Sequence, residues 1–237
     1  MGHGLYTATA GAVARRTQLD LVANNLANAG TIGYRAQKVS FSEVLQDSRS
    51  PNRHLVAMGR PLVSWERGAI ESTERPLDLV LQEDGFFVAE GIEGRVLLKT
   101  VSARVDADGS IRDSVGRRLQ LAGGDERLDA GSPVTVGQQG QLVQHGREVG
   151  RLLTVDVVDP RALRPVGNGG YLPDQGSGEL IPISTTVVSG AIERSNVNSV
   201  SSLVRMISVE REFQTLTRVI HAYREADEGI ISAASNS

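Results

Sequence analysis

The first 28 residues repeat apolar side chains at heptad spacing. The seven positions of the repeat are Leu5, Ala8, Ala12, Arg15, Leu19, Val22 and Leu26. Spacings of three and four residues place side chains on one face of an α-helix, so this pattern predicts an amphipathic helix with Arg15 as its one polar seam residue. Glycines at positions 2, 4 and 11 each lower helix propensity by about 1 kcal/mol relative to Ala. We therefore expect the first turns to fray unless another element packs on them.

A stronger stripe of the same kind lies towards the C-terminus. It consists of Met206, Val209, Phe213, Leu216, Ile220, Tyr223 and Ile230, and Val200 and Leu203 extend it towards the N-terminus. The pattern predicts a second amphipathic helix whose other face is charged. Asn198 is the expected N-cap, because its side chain is able to accept from the unpaired amides of the first turn, and Ser195 and Asn196 are the alternatives.

Between the two helical patterns the period changes to two. Short β-branched runs alternate with turn residues, as in LDLVLQ (77–82), GFFVAE (85–90) and RVLLKT (95–100). Asp84–Gly85 and Asp108–Gly109 have the sequence of hairpin turns that require positive φ. These features predict an all-β module.

Two segments of the middle region show no regular period. Residues 42–60 are predicted to form an exposed loop. Residues 160–182 contain four prolines and several glycines, and we expect them to form an irregular return segment.

The patterns together predict an α+β composition, with an all-β central module bracketed by N- and C-terminal amphipathic helices. Because an apolar helix face needs a partner in water, we expect the two helices to pair as a coiled-coil-like bundle. The expected domains are a discontinuous helical domain (1–30 with 197–237), an extended connector with a loop (31–75) and a central β domain (76–190).

Composition excludes several function classes. The net charge is −3 and aromatic residues make up 4% of the chain, so neither a basic surface for nucleic acid nor a stacking platform for bases is expected. The chain has no cysteine, which excludes disulfides and cysteine-bound metals. No apolar stretch reaches the roughly 18 residues of a membrane span, and the N-terminus lacks a secretory signal pattern. We expect no nucleic-acid partner, no direct membrane insertion and no cleaved leader.

Candidate catalytic and metal motifs are weak. The segment DADGS (106–110) has the composition of a calcium loop, but with Gly109 at loop position 6 the first and twelfth positions are Arg104 and Val115. A turn is therefore expected there. The four histidines lack metal-motif spacing, and GNGG (167–170) is followed by no helix pattern that would bind phosphate. We expect no catalytic residue, no cofactor and no bound metal.

Trp65 is the only tryptophan of the chain. It follows Pro61 and precedes the β region, with Val63 and Ile70 nearby. A single aromatic residue in such a setting is expected to anchor the connector to a core rather than to bind a ligand.

Three asparagines, Asn24, Asn25 and Asn28, end the N-terminal helix pattern. They fall within about 100° of one another on a helical wheel, away from Leu19. Asn28 or Gly30 suits a left-handed helix end, but Asn24 and Asn25 stand one turn too early for that role. We predict a separate amide face that donates and accepts hydrogen bonds.

The same segment, VANNLANAGTIGYRAQ (22–37), resembles the N-terminal signature of the bacterial flagellar rod, hook and hook-basal-body protein family. The signature has an ANNxAN core, here residues 23–28, followed by Gly33, Tyr34 and Arg35. Three further stretches resemble the family in the same order: ERPLDLVLQEDGFFVAE (74–90), SARVDADGSIRDSVGRRL (102–119) and GAIERSNVNSVSSLVRMISVEREFQTLTRVI (190–220).

The chain also departs from the family pattern. Serines at 199, 201 and 202 replace a proline and acidic residues at the start of the C-terminal helix, which predicts a weaker N-cap. Glu74 and Glu83 stand where the family often has glycine, so the turns there are expected to differ.

The resemblance implies an axial structural protein of the flagellar basal-body rod in the periplasmic space, and not an enzyme. It also implies export by the flagellar type III apparatus and helical assembly with other rod subunits. Chain length is typical of a rod protein rather than a hook protein. The short β module and the glycine-free residues 230–237 favour the proximal over the distal rod.

The expected assembly interface combines the two apolar stripes with the asparagine segment. Its residues are Leu5, Leu19, Val22, Asn24, Asn25, Leu26, Asn28, Gly33, Tyr34, Leu203, Met206, Val209, Phe213, Leu216 and Ile220. Two alternatives stay open: a distal rod protein of the same family, and a soluble β-rich binding module with helical extensions. The second predicts a monomer with a ligand pocket.

Overall fold

A computed structural model of the chain describes residues 2–39, 41–45, 54–58, 61–123 and 127–235. Two long helices lie at its ends, α1 Gly2–Ala27 and α2 Ser199–Ser235. A large multi-stranded β region lies between them in the sequence. The predicted α+β composition is therefore confirmed, and both helices lie where the apolar stripes predict them.

The start of α2 follows the predicted capping scheme. The Oδ1 atom of Asn198 accepts a hydrogen bond from the Ser201 amide at 2.9 Å. The Asn198 carbonyl accepts from the Ser202 amide at 2.9 Å. The side-chain bond satisfies an amide that the first turn leaves without a helical partner, and the Asn198 carbonyl accepts the first bond of the helix. Asn198 is therefore confirmed as the N-cap.

The chain forms two compact units. The helical unit comprises Met1–Ala27, Ala36–Ser64 and Val197–Ser237, and the β unit comprises Asn28–Arg35 and Trp65–Asn196. The chain therefore crosses between the units after residues 27, 35, 64 and 196. The three-part domain division expected from the sequence stays a prediction.

The helical unit contains short strands in addition to the helices. These are β1 Gln37–Lys38, β2 Phe41–Leu45, β3 His54–Met58 and β4 Leu62–Val63. Strand β1 pairs with β4 and β2 pairs with β3, both antiparallel, and α1 contacts β1 and β3. The loop predicted over residues 42–60 is therefore wrong at its two ends, while residues 46–53 and 59–60 lie outside the described residues.

The β unit contains the remaining strands, all of which pair antiparallel. The first nine are β5 Ile70–Ser72, β6 Asp78–Leu81, β7 Phe86–Gly91, β8 Gly94–Leu98, β9 Thr100–Val105, β10 Ile111–Asp113, β11 Arg118–Leu119, β12 Leu121–Ala122 and β13 Thr135–Val136. The other eight are β14 Gln141–Gln144, β15 Arg147–Leu152, β16 Thr154–Val157, β17 Leu163–Gly167, β18 Gly170–Pro173, β19 Leu180–Pro182, β20 Val187–Ser189 and β21 Ala191–Glu193.

Within the described residues, eleven of these strands form one sheet. Its order is β17-β18-β8-β7-β11-β10-β9-β6-β20, with β16 pairing β7 and β19. A second sheet has the order β12-β15-β14-β13, and β5 pairs with β21. Residues 160–182 were expected to be irregular but contain β17, β18, β19 and a short 3-10 helix, Pro160–Ala162. Prolines are tolerated there because β17 and β19 each lie at an edge of the sheet.

The core of the β unit lies between the large sheet and the four-stranded sheet. Alternate residues of β6, β7 and β8 point into it, as the period of two predicts. With partners from the second sheet, the core includes Leu79, Leu81, Phe87, Ala89, Val96, Leu98, Leu142 and Leu152. The intervening residues of β6 and β7 are buried as well, so these two strands pack on both faces.

The two Asp–Gly pairs play different parts. Gly109 has φ of 78° and joins the paired strands β9 and β10, which confirms the hairpin turn. Gly85 also has a positive φ, 135°, but β6 pairs with β9 and β20 rather than with β7. The predicted hairpin at Asp84–Gly85 is therefore wrong, because that glycine lies in a crossover connection.

Glu74 occupies a glycine-like conformation. Its φ is 59°, in the left-handed region that glycine adopts most readily. The Gly190 carbonyl accepts hydrogen bonds from the amides of both Thr73 and Glu74, which holds the backbone in this turn. Glu74 thus has a backbone conformation that a glycine would adopt readily, and the expected difference from the family's turn stays a prediction.

Candidate assembly surfaces

Within the helical unit, α1 and α2 contact each other. Val22 and Val209 are buried, and most of the other predicted seam residues are half-buried. The half-buried group consists of Leu5, Leu19, Leu26, Met206, Phe213, Leu216 and Ile220. We call this side of each helix its inner face.

Arg15, the one polar residue of the N-terminal repeat, forms an ion pair on this face. Its Nε atom lies 2.8 Å from Oε2 of Glu212 on α2, and its Nη1 donates to Gln18 at 2.6 Å. Both charged side chains are partly exposed, so the pair adds little stability on its own. Its geometry accounts for an arginine within an otherwise apolar stripe.

Two glycines of α1 allow close approach of α2 side chains. A Cβ atom added at Gly4 would lie 2.6 Å from the Tyr223 hydroxyl oxygen, and one at Gly11 would lie 3.4 Å from Leu216. Gly4 therefore leaves space that the tyrosine ring occupies. This contact gives the glycine a packing role in addition to its low helix propensity.

Each helix also exposes apolar side chains opposite its inner face. On α2 these are Val200, Leu203, Val204 and Ile207, with Val204 63% exposed. On α1, Tyr6 and Val13 are exposed, Val13 at 61%. We call these sides the outer faces. Val200 and Leu203 are predicted to extend the stripe, but the structure places both on the outer face, at 74% and 49% exposure.

The three asparagines have different environments. The Asn25 amide donates to the Gln37 carbonyl and accepts from the Gln37 amide, each at 2.8 Å. Asn28 accepts from the Thr31 hydroxyl at 3.2 Å and from its amide at 3.1 Å, and neither Asn28 nor Gly30 has the positive φ of a left-handed helix end. Asn24 is exposed, within about 20° of Tyr6 and Val13 on a helical wheel.

Gly33, Tyr34 and Arg35 are all buried in the β unit. The Arg35 amide donates to the Tyr171 hydroxyl oxygen at 3.0 Å, and that hydroxyl donates to the Gly33 carbonyl at 3.3 Å. Gly33 has φ of 66°, and an added Cβ would lie 3.0 Å from Thr100 Cγ2. This end of the signature segment is therefore anchored inside the β unit.

A buried ion pair joins this segment to β21. The Arg35 Nη1 atom donates to the Glu193 carboxylate, and the two side chains are 1% and 2% exposed. The same carboxylate accepts from the Gly68 amide at 2.7 Å. The Glu193 carbonyl accepts from the Gly33 amide at 2.8 Å, and the Glu193 amide donates to the Thr100 hydroxyl at 3.2 Å.

An aromatic cluster lies in the same unit. The Trp65 ring is 5.7 Å from Phe86 and 5.1 Å from Tyr171, measured between ring centroids, which supports the predicted anchoring role of Trp65. Lys99 is buried with Nζ 4.0 Å from the Phe86 ring centroid. The pKa of Lys99 is lowered to about 8, chiefly by burial and also by nearby Arg35, against the opposing effects of Asp84 and Glu193.

The DADGS segment forms the expected turn. Asp108 accepts from the Ser110 amide and hydroxyl and pairs with Arg112 at 3.1 Å. Hydrogen bonds from Ser110 first, then from Arg112, hold the pKa of Asp108 well below its usual range. Within the described ranges, no group of three His, Asp or Glu side chains is placed to hold a metal ion.

A cleft of about 590 Å³ lies near the turn between β7 and β8. Arg112 and Arg117 line it beside the exposed Ile92. Arg117 pairs with Asp113 at 2.6 Å and donates to the Asn168 carbonyl, so both guanidinium groups are already engaged within the chain. In the part of the chain that the structure describes, no helix has the length and apolar character needed to cross a bilayer.

Family models match both ends of the chain. Residues 5–35 match the model described as flagella basal body rod protein, and residues 188–233 match flagellar basal body rod FlgEFG protein C-terminal. The flagellar basal-body rod protein FlgF of Escherichia coli K12 is 30% identical over 239 residues, covering 93% of each chain. The chain belongs to the FlgF-like family of flagellar basal-body rod proteins.

Other rod proteins are similar to this rod subunit along most of its length. FlgF of Mesorhizobium japonicum is 27% identical over 241 residues, which span both chains completely. FlgG of Bacillus subtilis is 24% identical over 253 residues, covering 93% of this chain and 94% of the relative. The family membership makes this rod subunit a structural protein of the basal-body rod and not an enzyme.

Sequence reasoning missed two features of the rod subunit. The first is the outer face of α2, although the spacing of Val200, Val204 and Ile207 by four and three residues marks a second apolar stripe. The second is the partner of Arg35. Glu193 lies 158 residues away in sequence, and no local pattern connects the two.

Proposed function

We propose that this chain is an axial subunit of the proximal rod in the periplasmic space, exported by the flagellar type III apparatus and polymerised helically with other rod subunits. Its terminal helices pair through their inner faces as a coiled-coil-like bundle. The outer faces then contact neighbouring subunits. The helical domain expected from the sequence would then make the contacts between subunits. The β domain would fold around its own core.

The observation that carries the proposal is the second apolar face of α2. Val200, Leu203, Val204 and Ile207 follow helical spacing and remain exposed when α1 is in place. A helix with apolar residues on opposite sides is typical of a buried position. The face is therefore suited to burial against another rod subunit.

The Asn25 side chain bonds to Gln37 of the same subunit. Asn24 is exposed on the outer side of α1, where the proposal places a contact with a neighbouring subunit. A neutral amide suits this position because it bonds without placing like charges around a ring.

Sequence identity supports the proximal position. Five relatives named FlgF, the proximal rod protein, are 25–30% identical, and two named FlgG, the distal one, are 22–24% identical. A flagellar hook-basal body complex protein, FlhO of Bacillus subtilis, is 29% identical. Gold labelling of this subunit in isolated basal bodies tests the position. A label outside the rod would contradict the assignment.

Val204→Glu tests the outer face. Glu has a higher helix propensity than Val, so α2 should persist by circular dichroism. Export should be normal, but incorporation into the rod should fail, because the charge would be buried against a neighbour. Val219→Glu is the matched control, since Val219 is exposed on the same helix, about 100° round from the outer face. Normal incorporation of Val204→Glu would remove the outer face as an assembly surface.

A further inference from the structure

Glu193 lies where three of the four chain crossings come together in the β unit. The chain passes between the units after residues 35, 64 and 196. Close to each of these points, a residue of the β unit lies in the segment 191–196 or is hydrogen-bonded to it. This arrangement lies wholly inside the β unit and its contacts involve only that unit's residues.

Hydrogen bonds to Glu193 connect the first two crossings. Arg35, the last residue before one crossing, donates to the carboxylate, and Gly68, shortly after another, donates to it at 2.7 Å. Gly68 approaches so closely that an added Cβ would lie 1.8 Å from the Arg194 carbonyl oxygen. No other residue type fits there without movement of the backbone.

The third crossing is bound to the same place by its own residues. The Asn196 side chain donates to the Glu66 carbonyl at 2.8 Å, and its amide donates to the Tyr34 carbonyl at 3.4 Å. The Arg194 amide donates to the Ala69 carbonyl at 2.8 Å. The segment before residue 36 and the segment after residue 64 are thus each hydrogen-bonded to the segment before residue 197.

We propose that Glu193 is the positioning residue of this junction: its buried pairing with Arg35 fixes the points at which the chain leaves the β unit for the helical unit. A buried charge without its partner is strongly unfavourable, so separation of Glu193 from Arg35 carries a large cost. The junction therefore holds the three crossings in register. The positioning role rests on the proposed assembly function, whereas the junction itself does not.

Glu193→Gln tests the junction in the full-length protein. Gln keeps an acceptor for the Gly68 amide but removes the charge opposite Arg35. Hydrogen exchange of peptides covering residues 32–39, 65–69 and 191–198 should accelerate about tenfold or more, while peptides in β6 and β7 keep their protection. Acrylamide quenching of Trp65, the only tryptophan, should increase, because its ring lies at the second crossing.

Glu71→Gln is the matched control. Glu71 pairs with Arg194 at 2.5 Å in the same β5–β21 ladder, but both side chains are about half exposed. The same chemical change should leave exchange and quenching unaltered. Unchanged exchange at the crossings in Glu193→Gln, or equal acceleration in the β core, would overturn the junction.

The double variant Arg35→Met, Glu193→Gln separates charge from shape. It removes both buried charges and keeps the acceptor for Gly68, so exchange should return towards the wild-type rate. If the double variant exchanges as fast as Glu193→Gln in these peptides, charge pairing is not what holds the junction.

Rod incorporation tests the positioning role. Glu193→Gln should be exported and then incorporate poorly, while Glu71→Gln incorporates normally. If Glu193→Gln loosens the crossings and still incorporates normally, the positioning role is wrong. The proposed function would be unaffected in that case, because Val204→Glu tests it separately.

Discussion

In the β unit, Phe86, Phe87, Val88 and Ala89 follow one another along β7 and all four are buried. In α2, Val209 is the one apolar side chain below a tenth exposed among residues 199–229. The β unit thus completes its core with its own residues. The helical unit leaves the apolar side chains of its outer faces exposed.

This difference suggests that the β unit determines the stability of the isolated subunit, while the helical unit is proposed to determine assembly. Burial of apolar surface is the main favourable term in folding, so the β unit is expected to be stable in an isolated subunit. A helix whose outer face remains in water gains much less. Substitutions in the two units should therefore affect different measurements.

The largest expected effect is loss of stability in the β unit. Phe87→Ala removes a fully buried ring between two sheets and should lower the free energy of unfolding by about 3–5 kcal/mol. Urea unfolding followed by Trp65 fluorescence measures it, because Trp65 lies in the same unit. Phe213→Ala on α2 is the control and should leave this transition nearly unchanged. Equal shifts in both variants would mean that the units unfold as one.

The next largest effect concerns pH and Lys99. Burial lowers the pKa of Lys99 from 10.5 to about 8. Between these values the unfolded chain binds more protons at this residue, so the free energy of unfolding should rise with pH. The gain should be about 1.5 kcal/mol between pH 8 and 9.5, because the folded lysine is still half protonated at pH 8 and the slope approaches 1.36 kcal/mol per unit only above it.

The measurement is urea unfolding across that range. The pH is kept below 10, because burial raises the pKa of Tyr171 and ionisation of this tyrosine in the unfolded chain would lower the free energy of unfolding at higher pH. The charged groups that shift the pKa of Lys99 are Asp84, Arg35, Glu193 and Arg67. The Phe86 ring lies against its ammonium group. Lys99→Met should abolish the rise. Lys38, the only other lysine, is exposed, so Lys38→Met should retain it. A rise that persists in Lys99→Met would assign it to another group.

Periodicity and capping predicted the elements of this fold better than their connections. The stripes at Leu5–Leu26 and Met206–Ile220 and the cap at Asn198 are local signals, and the structure has helices at both places. The Asp84–Gly85 turn was misread because a positive φ does not reveal which strands pair. Pairing of β6 with β9 depends on contacts distant in sequence.

The exposed apolar face of α2 was predictable only in part. A single stripe along the helix places Leu203 in the seam, although it shares a face with Val204 and Ile207. A helical wheel groups the three asparagines, but the chain returns at Gln37 and bonds to Asn25. The partner of each amide depends on tertiary structure, which a helical wheel does not contain.

The smallest expected effect is a gain in stability outside the β core. Glu74 is exposed and has φ of 59°, a conformation that costs a non-glycine residue about 1 kcal/mol. Glu74→Gly should therefore raise the free energy of unfolding of the β unit by up to about 1 kcal/mol. Glu83→Gly is the matched control, because Glu83 is exposed but has no positive φ. There, glycine only increases the entropy of the unfolded chain, so stability should fall slightly. Opposite signs for one substitution at two exposed sites would assign the gain to backbone conformation, whereas equal signs would contradict it. Neither variant should change hydrogen exchange in α1 or α2.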